Sequence, residues 1–109
     1  MQISARRMDT TTIFDVSGDI DLANSPEIRK ALLKEIRETK TPRVVMNLVK
    51  VRYIDSSGVA SLVEGLKASR DAGTRFILYG LSPAAREVLQ LSRLLKIFEV
   101  HDTEEQALA

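Results

Sequence analysis

The run Val44-Val45-Met46-Asn47-Leu48 is followed by Tyr53-Ile54-Asp55-Ser56-Ser57-Gly58-Val59 and then by Leu62, Val63 and Leu66. The first segment is apolar except for Asn47, as expected of a central strand covered on both faces. The apolar residues after Gly58 recur at the spacing of one helix face. Two hydroxyls and a carboxylate therefore fall between a strand and a helix N-terminus. Backbone N–H groups there lack acceptors and the local field is positive, a setting that can host a phosphate.

The helix predicted after Asp55 runs to about Ala72, with Gly73 as its stop. Arg75 to Tyr79 reads as another buried strand. Gly80-Leu81-Ser82-Pro83 follows as a loop, Ser82 capping and Pro83 opening a third helix that reaches about Leu91. Ser92-Arg93 breaks or bends that helix, and the apolar stretch from Leu91 to Phe98 reads as core closure. Phe98-Glu99-Val100-His101 forms a short last strand. Asp102-Thr103-Glu104-Glu105 resembles the capped acidic first turn of a final helix.

Upstream, Gln2 to Met8 and Thr12 to Val16 read as strands joined through Asp9-Thr10-Thr11, a hairpin pattern. Gly18-Asp19 ends the second strand and Ile20-Asp21-Leu22 leads away. Ser25 is placed to cap a helix with Pro26 at its first position. Ile28, Ala31, Leu32 and Ile36 form its apolar stripe, Leu33 falls off it, and Thr39-Lys40-Thr41-Pro42 stops it. The order is β-β-α-β-α-β-α-β-α. Parallel strands need helical crossovers, so the expected fold is α/β, a mixed sheet of four or five strands with about four packed helices.

At 109 residues and 44% apolar composition, the chain fits one domain over residues 1–109 with one core. It has no cysteine, which removes disulfides and thiolate metal sites and is compatible with a reducing cytoplasm. No segment approaches the ~20 apolar residues that span a bilayer. Met1 to Arg7 lacks the apolar core of a signal peptide, so the expectation is a cytoplasmic protein without membrane insertion. Sixteen basic residues against fifteen acidic ones give a net charge of +1. The signs are interspersed and aromatics amount to 5%, which argues against direct nucleic-acid binding.

The residues offer little for catalysis. A serine nucleophile needs a base, and the one histidine, His101, sits on the terminal strand far along the chain from Ser56. Neither phosphate-binding glycine motif, Gly-x-x-x-x-Gly-Lys-Ser/Thr or Gly-x-Gly-x-x-Gly, occurs. Asp19 and Asp21 lie two apart and could share a strand face, but a pair of acids is more often turn chemistry than a metal site. No catalytic residue, cofactor or metal is assigned.

Asp55-Ser56-Ser57-Gly58 has a plain structural reading. Asp55 or Ser56 caps the helix, a contribution of ~0.5–2 kcal/mol, and Gly58 permits close packing. Two hydroxyls and an acid exceed what one cap requires, however. The acidic segment Gly18-Asp19-Ile20-Asp21 also ends a strand, and loops at one end of a parallel sheet converge on a site. Ser57 falls in the first helical turn, where it is expected to satisfy backbone groups. Periodicity alone does not choose between the two hydroxyls.

The whole series resembles the STAS-domain family, specifically the stand-alone bacterial anti-sigma factor antagonists. The matching segments are Gly18-Asp19-Ile20-Asp21, Val44 to Leu48, Ile54-Asp55-Ser56-Ser57-Gly58-Val59, Gly80-Leu81-Ser82-Pro83, Val88-Leu89 and Leu94 to Phe98, and the resemblance extends from the first strand to the last helix, over essentially the full chain. The resemblance implies that Ser56 accepts a phosphate from an anti-sigma factor with serine-kinase activity. It implies that the unphosphorylated form binds that partner and frees a sigma factor or other target, and that a metal-dependent serine phosphatase restores this form. Asp21 takes the place of a supporting acid, beside Asp55, Ser57 and Gly58. A constitutive STAS adaptor, in a stress-signalling scaffold or a lipid-transport complex, is the alternative. A monomer is expected.

Overall fold

The computed structural model describes residues 1–109. Strands β1 (Gln2–Met8) and β2 (Thr11–Ser17) form an antiparallel hairpin whose register pairs Met8 with Thr11. The two-residue turn between them places Asp9 at φ 54°, the positive φ that tight hairpin loops favour. Then come α1 (Ser25–Lys34), which widens into one π-helical turn over Glu35–Thr39, and β3 (Arg43–Lys50). Next are α2 (Ser56–Ala72), β4 (Arg75–Tyr79), α3 (Pro83–Leu91), a 3-10 turn at Leu95–Ile97, β5 (Glu99–His101) and α4 (Glu104–Leu108).

The five strands lie in sequence order, β1-β2-β3-β4-β5, with β2 through β5 parallel. Each crossover therefore steps the same way across the sheet, and right-handed connections place α1, α2 and α3 together on one face. That face holds the main core, a contiguous cluster that includes Phe14, Met46, Leu62, Phe76, Leu78 and Leu89. A smaller core of Ile13, Val45, Ile77, Tyr79 and Ala107 lies on the opposite face, under α4. The expected α/β mixed sheet is thus observed with five strands and four helices, three on one side and one on the other. No helix is long and apolar enough to cross a membrane.

Three local expectations are corrected. The residue that precedes α1 is Asn24, not Ser25, and Asn24 makes no side-chain cap. Its carboxamide oxygen instead accepts from the Asp21 N–H at 2.8 Å and its amide donates to the Asp19 carbonyl at 2.8 Å, tying down the loop before the helix. Leu33 is half-buried against the main core, because α1 packs against both the sheet and α2. In the stretch read as core closure, Phe98 is buried and Leu94 and Leu95 pack on the core, while Leu91 remains exposed at the end of α3.

Candidate functional site

Beyond the ends of β2 and β3, the chain makes one more parallel bridge, between Ile20 and Ile54. The Ile20 N–H donates to the Tyr53 carbonyl and the Asp55 N–H to the Ile20 carbonyl, each at 3.1 Å. Both isoleucines are fully buried. This short extension fixes the Asp19–Asn24 loop against the start of α2.

Asp55 has extended backbone geometry and caps α2. One carboxylate oxygen accepts from the Gly58 N–H at 2.9 Å. The other accepts from the Leu22 N–H at 3.0 Å. One side chain thus satisfies an orphan helix amide and clasps the neighbouring loop. Ser56 is the first residue of α2 and is exposed; its hydroxyl has no hydrogen-bond partner within the chain. The N–H groups of Ser56 and Ser57 also lack intramolecular acceptors, as helix geometry dictates for the first turn. Ser57 is half-buried, and its hydroxyl bonds no backbone group, contrary to the expectation from its position. Its carbonyl accepts from the Ser61 hydroxyl at 3.2 Å.

Gly58 lies where α2 crosses the Ile20–Ile54 bridge. A Cβ there would stand 2.6 Å from Ile54 Cγ2 and 2.7 Å from the Ile20 carbonyl oxygen, so only glycine permits this approach. Asp21 sits between the two loop residues that hydrogen-bond Asp55. Its carboxylate accepts from the N–H groups of Ala23 at 3.0 Å and Asn24 at 3.2 Å, a local turn in place of a strand face shared with Asp19. No group of three or more His, Asp or Glu side chains is arranged to hold a metal.

The loop after β4 borders the same end of the sheet. Ser82 caps α3 through the Ala85 N–H, and its hydroxyl donates to the Arg52 carbonyl at 2.7 Å. Gly80 approaches Val49 so closely that a Cβ would meet its Cγ2 at 2.3 Å. His101 is elsewhere, hydrogen-bonded to Glu99 at 2.9 Å on the face that α4 covers. Chemically, the arrangement presents two unbonded hydroxyls, of which Ser56 is exposed and Ser57 half-buried, two free amides and a fixed carboxylate.

Sequence reading missed the polar groups of the other elements. Glu35 is buried, and its carboxylate accepts from Arg7 at 2.8 and 3.0 Å, from Thr12 at 2.8 Å and from Thr41. Burial pushes the Glu35 carboxyl up, but the bonds from Arg7, Thr41 and Thr12 outweigh it and hold the group below the ordinary carboxylate range. On the α4 face, Arg6 joins Asp15 and Glu104, and Tyr79 donates to Glu104 at 2.9 Å. Burial and that bond push the Tyr79 phenol up to about 12. No local signal marks these groups, because their partners come from distant segments.

The fold defines a domain class. The STAS domain family model matches residues 2–107, and the chain belongs to that family. Among similar proteins is the anti-sigma-B factor antagonist of Listeria monocytogenes serovar 1/2a, 30% identical over 105 residues, which span 95% of this chain and 90% of the relative. The anti-sigma F factor antagonist of Paenibacillus polymyxa is 25% identical over 108 residues, 99% of this chain and 92% of the relative. An anti-sigma factor antagonist from Mycobacterium paratuberculosis superposes with a TM-score of 0.86 at 24% identity, covering 98% and 90% of the two chains. A sulfate transporter family protein from Wolinella succinogenes also shares the fold, with a TM-score of 0.81 at 19% identity over 93% and 84% of the chains. The fold alone therefore does not separate regulators from transporter domains.

Proposed function

We propose that this protein is a cytoplasmic anti-sigma factor antagonist that acts by binding, not catalysis, and that its switch is phosphorylation of Ser56. The observation that carries the reading is the free, exposed Ser56 hydroxyl directly after the Asp55 cap, in a chain whose full-length relatives bear the antagonist name. In this reading the unphosphorylated form binds an anti-sigma factor with serine-kinase activity and displaces the sigma factor or other target. A metal-dependent serine phosphatase resets it.

The physics of the site supports a switch that needs no refolding. Phosphorylation adds about −1.5 to −2 charges near neutral pH. The Ser56 and Ser57 amides are free to receive a phosphate, and the helix field favours it. The dianion also stands beside the Asp55 carboxylate and near Asp21. A partner surface fitted to a neutral hydroxyl must then desolvate it against like charge. A loss of ~2.7 kcal/mol suffices to weaken binding about a hundredfold.

The test is intact-mass analysis with fragmentation of the protein from its native cells, followed by binding of the unphosphorylated protein to the anti-sigma factors of that organism. The expected results are a phosphate on Ser56 and tight binding that Ser56→Asp weakens about a hundredfold. Absence of phosphate across growth and stress conditions, with Ser56→Asp binding as wild type does, would overturn the reading in favour of a constitutive adaptor.

A further inference from the structure

Leu22 is 74% exposed, yet its backbone N–H is held by the Asp55 carboxylate at 3.0 Å. The side chains of Asp21, Asn24 and Asp55 together accept four backbone N–H groups of the Asp21–Asn24 turn, Leu22's own among them, and Asn24 donates to Asp19. The loop thus presents a large apolar side chain to solvent in a single shape. Such preorganisation of the backbone removes the loop-ordering part of the cost of binding and leaves only the rotamer freedom of the Leu22 side chain to be lost.

Leu22 also forms the lip of a groove of about 290 Å³ between α1 and α2, shared with Pro26, Arg29, Ser57, Ala60 and Glu64. An Arg29–Glu64 ion pair closes the groove's far wall. The other flank of the bridge carries Tyr53, 46% exposed, whose carbonyl accepts the Ile20 N–H. Ser56 follows directly on Asp55, the residue whose carboxylate holds the Leu22 N–H. Any protein that places its catalytic atoms on the Ser56 hydroxyl must cover that neighbourhood.

We infer that Leu22 is the apolar anchor of this protein's partner interface, inserted into the surface of the anti-sigma kinase that reaches Ser56. The inference rests on the functional reading above and adds the residue that supplies grip where Ser56 supplies the switch. A central apolar anchor ringed by polar groups is how protein interfaces concentrate their affinity. Here the ring consists of Asp21, Asp55, Ser57 and the Arg29–Glu64 pair. The occupant is a protein surface because the Leu22 N–H is bound to Asp55, the residue directly before Ser56, so a kinase that reaches the Ser56 hydroxyl also reaches Leu22.

The experiment measures dissociation constants of the purified anti-sigma factor for wild type, Leu22→Ala, Leu22→Met and Ser56→Asp. Leu22→Ala leaves the loop intact, since the loop is held through backbone groups, and its melting temperature should match wild type. Its affinity should fall about ten- to a hundredfold, the equivalent of losing one buried leucine side chain. Leu22→Met, with nearly the same apolar volume, should bind close to wild type. If Leu22→Ala binds like wild type while Ser56→Asp does not, the anchor is overturned and the functional reading stands. If wild type binds no anti-sigma factor, both fall together. An equal loss for Leu22→Met and Leu22→Ala would also overturn the anchor, because it would place the requirement on shape at the loop and not on buried apolar surface.

Discussion

Gly58 and Ile20 touch through backbone. A Cβ on Gly58 would lie 2.7 Å from the Ile20 carbonyl oxygen and 2.9 Å from its Cγ2. That carbonyl already accepts the Asp55 N–H at 3.1 Å, so it cannot retreat without breaking the bridge that aligns the loop with α2. Gly58→Ala gains up to ~1 kcal/mol of helix propensity and still forces this contact apart. Overpacking of this kind costs ~1–3 kcal/mol, so the net expectation is destabilisation with a displaced Leu22 loop. Urea unfolding with an unchanged slope checks the first, and amide shifts of residues 20–24 check the second.

Asp55 divides its carboxylate between two donors, which separates two substitutions. Asp55→Ala loses the cap and should cost ~0.5–2 kcal/mol. Asp55→Asn keeps one acceptor oxygen and should cost less, while releasing either the Leu22 N–H or the Gly58 N–H. Hydrogen exchange at those two amides tells which: both should be protected in wild type, one in Asp55→Asn, and neither in Asp55→Ala.

The two serines are distinguished by what surrounds them. Ser56 is exposed, while Ser57 is half-buried at the groove. Under the proposed switch, Ser56→Ala should abolish phosphate incorporation by the kinase, and Ser57→Ala should retain the modification. Mass spectrometry after a kinase reaction measures both. Incorporation into Ser56→Ala at the wild-type level would move the switch to another residue.

The cap, the stop and the strands around α2 were legible because each depends on residues within a turn of one another: Asp55 reaches Gly58, and Gly73 takes φ 72° at the helix end. The Ile20–Ile54 bridge was not legible. It joins residues 34 positions apart, and neither isoleucine differs in pattern from an ordinary core residue. Ser25 drew the cap assignment from its residue type and the following proline. The loop geometry gave Asn24 that place and spent its side chain on Asp21 and Asp19. Glu35 carried no sequence signal of its own, and the π-helical turn that begins there carries it inward to Arg7, Thr12 and Thr41.

Glu35 has a pH consequence. Its folded-state carboxyl lies below its ordinary value, as do those of Asp15 and Glu104, each bonded by Arg6, and of Glu99, bonded by Arg75. The folded chain therefore holds fewer protons than the unfolded one in the carboxylate range. The stability these groups contribute is complete above ordinary carboxylate values, about 4–4.5, and is lost as pH falls through the lower folded values. The melting temperature should be nearly flat from about pH 6 to 8 and drop below about pH 4.5. Glu35→Gln should lower the neutral plateau by ~1–3 kcal/mol, since buried Thr12 and Thr41 lose a charged acceptor. Its acid dependence should also be shallower by one group, which a structural loss unrelated to ionisation would not produce.

The ends of α2 and α3 share one device built from different residues. In α2 the Thr74 N–H reaches the Ser69 carbonyl at 2.8 Å and the Gly73 N–H reaches Arg70 at 3.3 Å. In α3 the Leu94 N–H reaches Leu89 at 2.8 Å and the Arg93 N–H reaches Gln90 at 3.0 Å. Both are paired terminal bonds that require a left-handed residue at the turn, where glycine carries no Cβ penalty. Gly73 supplies it at φ 72°, but α3 uses Arg93 at φ 60°. Arg93 is exposed and forms no ion pair, so little on the arginine side offsets the backbone cost. The left-handed conformation costs an L-residue roughly 1–2 kcal/mol, and glycine's greater unfolded-state freedom returns part of that. Arg93→Gly should therefore stabilise the protein by up to about 1 kcal/mol, a rise of a few degrees in melting temperature for a chain of this size. Arg93→Ala keeps the Cβ and should leave the melting temperature near wild type. A gain from alanine equal to that from glycine would locate the cost in the arginine side chain instead of the backbone.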